Sequence, residues 1–159
     1  MAKMLVCYYS RSGHTKKMAE TVASGAAKVS GVTVEVKPVD QVKPKDLLDY
    51  DAIMIGSPTY YGTMAAPIKQ LFDESVAFHG QLEGKVGGAF SSSANVAGGN
   101  ETTILDILGA MLIHGMVVQG SHKGDHYGAV AVRNVDERAC QECLKHGQAI
   151  ATLALRLHG

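Results

Sequence analysis

Short apolar runs alternate with helical patterns along the whole of this chain, and that alternation excludes most folds. The runs are Lys3–Tyr9, Thr33–Pro38, Ala52–Gly56, Val86–Ser91 and Gly115–Val118, with a further strand-like piece at Tyr127–Val132. Between them, apolar residues recur at helical spacing over His14–Val29, Ala65–Phe78 and Asn100–Ile113, and a last helical pattern covers Asp136–Leu157. One turn of helix is expected after Pro44, within Lys43–Tyr50. Strands alternating with helices imply right-handed βαβ units, a parallel sheet and helices on both faces. A continuous apolar run such as Ala52-Ile53-Met54-Ile55-Gly56 suits a strand buried on both sides. The expected architecture is α/β, a three-layer doubly wound sandwich, and 159 residues suffice for one domain spanning 1–159.

Charge and cysteine content narrow the setting. Fifteen Lys and Arg balance fifteen Asp and Glu, so no global field draws the chain to nucleic acid or to a membrane surface. No apolar run approaches the roughly 20 residues of a membrane span, and Met1-Ala2-Lys3 leads into the first strand without a signal-peptide pattern. Three cysteines, an odd number, do not suggest a disulfide framework, so a cytoplasmic setting is expected.

In a doubly wound sheet the ligand crevice lies beyond the carboxyl ends of the strands, where strand order reverses. The loop after the first strand reads Ser10-Arg11-Ser12-Gly13-His14-Thr15 and opens a helix. Free N–H groups and the positive dipole end of that helix would attract a phosphate. Ser10, Ser12 and Thr15 add hydroxyls, Gly13 admits close backbone approach, and the Arg11 guanidinium can reach a phosphate. The plain alternative is an ordinary capped helix start. After the third strand come Pro58, Thr59, Tyr60, Tyr61 and Gly62, two aromatic faces between backbone-shaping residues. After the fourth come Ser92, Ser93, Ala94, Asn95, Val96, Ala97 and Gly98, small residues that offer backbone groups to a ligand. Each loop alone reads as a βα turn; three at one edge describe a site for a phosphorylated, planar, heteroaromatic ligand.

The segments YYSRSGHTKKMA, DYDAIMIGSPTYYG, HGMVV and HYGA, with AFSSS and GGNE, resemble the flavodoxin-like superfamily, and within it the short WrbA-type NAD(P)H:quinone oxidoreductases. The resemblance implies a five-stranded parallel sheet of order 2-1-3-4-5 and flavin mononucleotide (FMN) as cofactor. It implies Ser10–Thr15 on the phosphate, Thr59, Tyr60 and Tyr61 along the ribityl chain and ring, and Ser92–Ala97 at the pyrimidine edge. It further implies that His114 approaches the flavin as the catalytic group and that Tyr127 lies near it, with NAD(P)H as reductant, a quinone or other small acceptor, and a dimer or tetramer as the assembly. This chain departs from the larger reductases. Asp40–Asp49 and Val118–Tyr127 are short where they carry insertions, and the chain has no tryptophan, leaving Phe78 or His79 as substitute.

Two functional classes remain open beside the reductase. A one-electron carrier between larger partners would normally be strongly acidic, which this chain is not. A flavin-binding module without turnover is the other. A receiver-type domain lacks its acidic cluster here, since Cys7, Tyr8 and Ser10 occupy the end of the first strand. Cys140 and Cys143 form a C-x-x-C inside the last helical pattern and read as small packing residues. No cluster with metal-ligand spacing is expected; His122, Asp125 and His126 are loosely spaced, and His79, His122, His146 and His158 are expected to face solvent. For His114, followed by Gly115, a helix-terminal role is the competing reading.

Overall fold

A computed structural model describes residues 1–159. The strands are β1 (Ala2–Tyr8), β2 (Val32–Pro38), β3 (Ala52–Tyr60), β4 (Thr63–Met64), β5 (Val86–Ser93), β6 (Val117–Val118) and β7 (Val130–Val132). The helices are α1 (His14–Ala26), α2 (Ala66–Glu74), α3 (Asn100–Ile113) and α4 (Glu137–His158), with single 3₁₀ turns at Val39–Gln41, Pro44–Asp49 and Ser75–Phe78. The main sheet runs β2-β1-β3-β5-β6, all parallel. This is the expected 2-1-3-4-5 order with two additions. The fifth position is split: β6 pairs with the start of β5 and β7 with its end, both in parallel. The small strand β4 folds back antiparallel on the tip of β3.

Alternation along the central strands builds two cores. Met4 and Val6 of β1 and Met54 of β3 pack with Met18 and Val22 of α1 and with Cys143 and Ile150 of α4. Leu5, Cys7, Ile53 and Ile55 point the other way, onto Ile68 and Leu71 of α2 and Ile104, Ile107 and Met111 of α3. Both faces of the sheet are therefore dry, which is why its inner strands read as unbroken apolar runs. β1 and β2 are joined through α1 on one face, β3 and β5 through α2 on the other, so the switch point lies between β1 and β3.

The first face closes through backbone contact. A Cβ on Gly147 of α4 would run into the carbonyl oxygen of Val22, and one on Gly25 of α1 into that of Leu144. The two glycines let α1 and α4 cross at backbone distance. The cysteines of the C-x-x-C sit on α4, Cys143 fully buried with its thiol pushed up to about 12 by burial, and no disulfide forms.

The segment from Gln119 to Ala129, which splits the fifth strand, is tied down by polar contacts. Asp125 accepts from the Val130 N–H at 2.9 Å and pairs with Arg138 at 2.8 Å, and its own N–H reaches Glu142. Here His146 departs from its expected solvent-facing position: it is half-buried, and its Nδ1 accepts from the Ala129 N–H at 3.3 Å. Burial pushes this imidazole down to about 4, against the opposing pull of Asp125 and Glu142.

Two outcomes follow from this packing. Gly147→Ala should lower unfolding stability by about 1–3 kcal/mol, the range for overpacking, measured by chemical denaturation. His146 stays neutral when folded, whereas unfolded it titrates near 6.5. Stability should therefore fall as pH drops from 6.5 toward 4, and His146→Gln should flatten that part of the pH–stability curve.

Candidate functional site

β3 and β5 outrun their neighbour on the β1 side. β1 ends at Tyr8, opposite Gly56, whereas β3 continues to Tyr60 and β5 to Ser93, with Pro58 still paired to Ser92. The protruding tips floor a cavity of about 310 Å³. Arg11, Ser12, His14 and Thr15 line it from the first loop, Pro58, Thr59 and Tyr60 from the second, and Ser92, Ser93 and Ala94 from the third. A fourth contributor, Arg133, comes from the loop after β7, and no carboxylate lines the cavity.

Hydroxyl groups knit these loops together. Thr15 Oγ1 lies 3.0 Å from Ser92 Oγ, with Thr15 wholly buried. Thr59 Oγ1 lies 3.1 Å from Ser91 Oγ and 3.0 Å from Thr103 Oγ1, which also reaches the Gly99 carbonyl. Asn100 donates to Ser93 Oγ at 3.0 Å, so it anchors the third loop, while Gly99 takes the N-cap position of α3. At the first loop Gly13 caps α1 without a side-chain bond, and its N–H donates to Ser10 Oγ at 3.1 Å. The first intrahelical bond at this end is Lys17 N–H to the Gly13 carbonyl, leaving the N–H groups of His14, Thr15 and Lys16 without helical acceptors. Lys17 itself turns away to the Val135 carbonyl at 2.9 Å.

All three non-glycine residues with positive φ lie in loops at this edge: Tyr61 (φ 50), Ala97 (φ 54) and Arg133 (φ 64). Tyr61 and Gly62 (φ 80) are the two central residues of the β3–β4 hairpin, between the paired Tyr60 and Thr63. Such a turn wants Asn-Gly or Gly-Gly. A tyrosine there keeps a strained backbone, about 1–2 kcal/mol unfavourable, and presents a fully exposed ring. Tyr60 meets Tyr9 edge-on at 6.3 Å between ring centroids.

The other sequence-derived positions are distributed differently. Ser10 and Gly13 belong to the first loop but line a neighbouring cavity of about 410 Å³ with Tyr9, Pro38 and Pro67. Gly62 packs against Gly99, and Asn95, Val96, Ala97 and Gly98 form an exposed turn at the same edge, outside the cavity lining. Tyr127 is half-exposed on the segment before β7 and does not line the cavity.

Within this chain His114 does not reach the cavity. It terminates α3 beside Gly115, whose carbonyl accepts from Gly84 ahead of the first residue of β5. β5 separates that end from Ser92 by about 20 Å at a rise of about 3.3 Å per residue. His114 is buried, donates through Nε2 to Ser75 Oγ at 2.8 Å, and keeps Nδ1 without a partner. Burial and the adjacent His79 push its proton affinity down. The helix-terminal reading is the one this position satisfies, because α3 runs antiparallel to β5 and carries its last residue to the wrong edge. Phe78 and His79 stand at that same far end. Arg133 is the residue the motifs did not single out. The available signal was its place after a strand-like run, which puts it at the same edge as the other three loops.

Residues 5–103 match the flavodoxin domain family. The chain belongs to the flavodoxin family. Across its whole length it is 36% identical to a protein named NAD(P)H dehydrogenase (quinone) of Rhodopseudomonas palustris (strain BisA53), all of which it covers. That alignment runs to 200 positions, so it places gaps in this 159-residue chain. It is 38% identical to a flavodoxin of Aquifex aeolicus (strain VF5), over 95% of this chain and 86% of that one. Among solved structures, the WrbA-like flavodoxin of Agrobacterium tumefaciens superposes with a TM-score of 0.82 at 26% identity, over 99% of both chains. This flavodoxin fold is thus shared by proteins named as enzymes and by proteins named simply flavodoxin.

The hairpin strain has a measurable consequence. Tyr61→Asn, which tolerates the turn conformation, should raise unfolding stability by about 1 kcal/mol, read from the denaturation midpoint.

Proposed function

We propose that this chain is an FMN-dependent oxidoreductase that takes two electrons from NAD(P)H and delivers them to a quinone or a comparable small acceptor. One observation carries the cofactor: a cavity at the switch point whose lining is hydroxyls, free N–H groups and two guanidinium groups, with no carboxylate. That donor set fits a phosphomonoester dianion. Full-length relatives named NAD(P)H dehydrogenase (quinone) support the reaction.

When bound, the flavin supplies hydride acceptance and two-electron donation; the protein supplies binding, orientation and electrostatics. The His14 and Thr15 N–H groups and the Ser12 hydroxyl would hold the phosphate. Thr59 and Ser92, each locked by a hydroxyl partner, line the path from the phosphate toward the aromatic loop. Tyr60, which lines the cavity, and the exposed Tyr61 beside it would cover one side of the ring. The backbone of Ser92–Ala97, of which Ser92, Ser93 and Ala94 line the cavity, would offer hydrogen bonds to the polar edge of the ring. The balance of acids and bases disfavours a charge-steered carrier. We assign the protein to the cytoplasm, where its three free cysteines would stay reduced, and its acceptor to small molecules; no helix is long and apolar enough to cross a membrane.

The purified protein should carry FMN and oxidise NADH or NADPH rapidly only when benzoquinone is supplied. A colourless protein that takes up no FMN ends the cofactor assignment. A yellow protein inert to both nicotinamides overturns the enzyme and leaves the carrier or the flavin-binding module without turnover. Ser12→Ala should weaken FMN about tenfold or more, on the order of 1.5–3 kcal/mol for a bond to a charged group, without altering the fold by circular dichroism.

A further inference from the structure

Arg133 sits in an unfavourable backbone conformation that it does not need for packing. Its φ of 64 lies in the left-handed region, where glycine or asparagine would be expected. Its side chain is exposed and forms no ion pair and no hydrogen bond within the chain. The backbone around it is firmly held. Its N–H donates to the Ser93 carbonyl at 2.8 Å, and the next N–H, of Asn134, donates to Val132 at 2.8 Å. Lys17 of α1 clasps the same segment through the Val135 carbonyl at 2.9 Å. The αL residue is thus tied to the third loop on one side and to the first turns of α1 on the other.

No acid pairs with it. Asp136 is engaged as the N-cap of α4, accepting from Ala139 N–H at 2.8 Å, and Asp125 is taken by Arg138. What Arg133 does face is the cavity it lines with Ser12, Thr15 and Ser92. Arg11 lines the same cavity from the first loop, likewise without an ion-pair partner. Strain retained at a non-glycine position, beside an anion-ready helix start and with an unspent cation, marks a residue kept for its side chain.

We infer that Arg133 is a phosphate-binding, specificity-determining residue: its guanidinium neutralises the phosphomonoester dianion of the cofactor and selects the phosphorylated flavin over its unphosphorylated form. The inference rests on the FMN reading above. It goes further in assigning the counter-charge to a loop outside the motif-bearing ones. A guanidinium meets two phosphate oxygens with parallel N–H groups, which an ammonium cannot reproduce. The helix N-terminus alone supplies only partial charge.

The test separates side chain from scaffold. Arg133→Gly relieves the left-handed strain, so the flavin-free variant should melt at the same temperature as the parent or higher. Its affinity for FMN should fall tenfold or more in a fluorescence-quenching titration. Its affinity for riboflavin, which shares ring and ribityl chain but lacks phosphate, should stay within about twofold of the parent. Arg133→Lys should recover only part of the FMN loss. An independent arm uses inorganic phosphate, which should raise the melting temperature of the flavin-free parent above that in chloride of equal ionic strength, and should not do so for Arg133→Gly. Equal losses for FMN and riboflavin, or an unchanged FMN affinity, overturn the assignment. A parent protein that responds to phosphate through Arg133 but binds neither flavin keeps the anion site and overturns the cofactor reading instead.

Discussion

The buried contact between the hydroxyls of Thr15 and Ser92 holds the functional edge of this molecule together. It joins the first turn of α1 to the tip of β5, residues 77 apart in sequence, at 3.0 Å. Both residues are buried, and a buried hydroxyl left unpaired costs about 1–3 kcal/mol, so each fixes the other. The Ser91–Thr59–Thr103 contacts repeat the device one strand over, binding β5 to β3 and to the start of α3. The carboxyl edge is thus a rigid frame in which free N–H groups and cations stand at set positions, as preorganised binding requires.

That rigidity is opposed by local strain at three places, and all three are at the same edge. Tyr61, Ala97 and Arg133 adopt backbone angles that glycine would take more readily. The rest of the molecule over-determines them: the hairpin pairing holds Tyr61, and the Ser93 carbonyl holds Arg133. Stability is drawn instead from the two dry cores and from the backbone-close crossing of α1 and α4 at Gly25 and Gly147. Strain and the candidate cavity share one edge; packing occupies the rest.

The opposite edge carries a histidine whose sequence context invited a catalytic reading. HGM at 114–116, whose resemblance to a reductase segment suggested a catalytic histidine, lies at the amino end of β5. A motif transfers residue identity, and the crossing direction of the helix that carries it decides whether that residue reaches the site. His114, bonded to Ser75, closes the end of α3 against the 3₁₀ turn after α2. The split fifth strand shows the same separation of pattern from place. Val117–Val118 and Val130–Val132 read as two strands in sequence, and in space they extend along one flank of one neighbour.

While the strand order came from the family resemblance, local pattern by itself determined the alternation of strands and helices, the bounds of α3, the turn of helix after Pro44 and three of the four loops around the cavity. These are properties of periodicity, capping and βα alternation, each contained within a dozen or so residues. Tertiary structure alone decided that β3 outruns β1 and folds back as a hairpin, because Tyr60–Thr63 pairing depends on β5 supporting the tip. It alone brought Arg133 to the cavity, carried His114 away from it, and buried His146 beneath the Gln119–Ala129 segment. Each of those outcomes turns on contacts between residues far apart in the chain, where sequence periodicity has no reach.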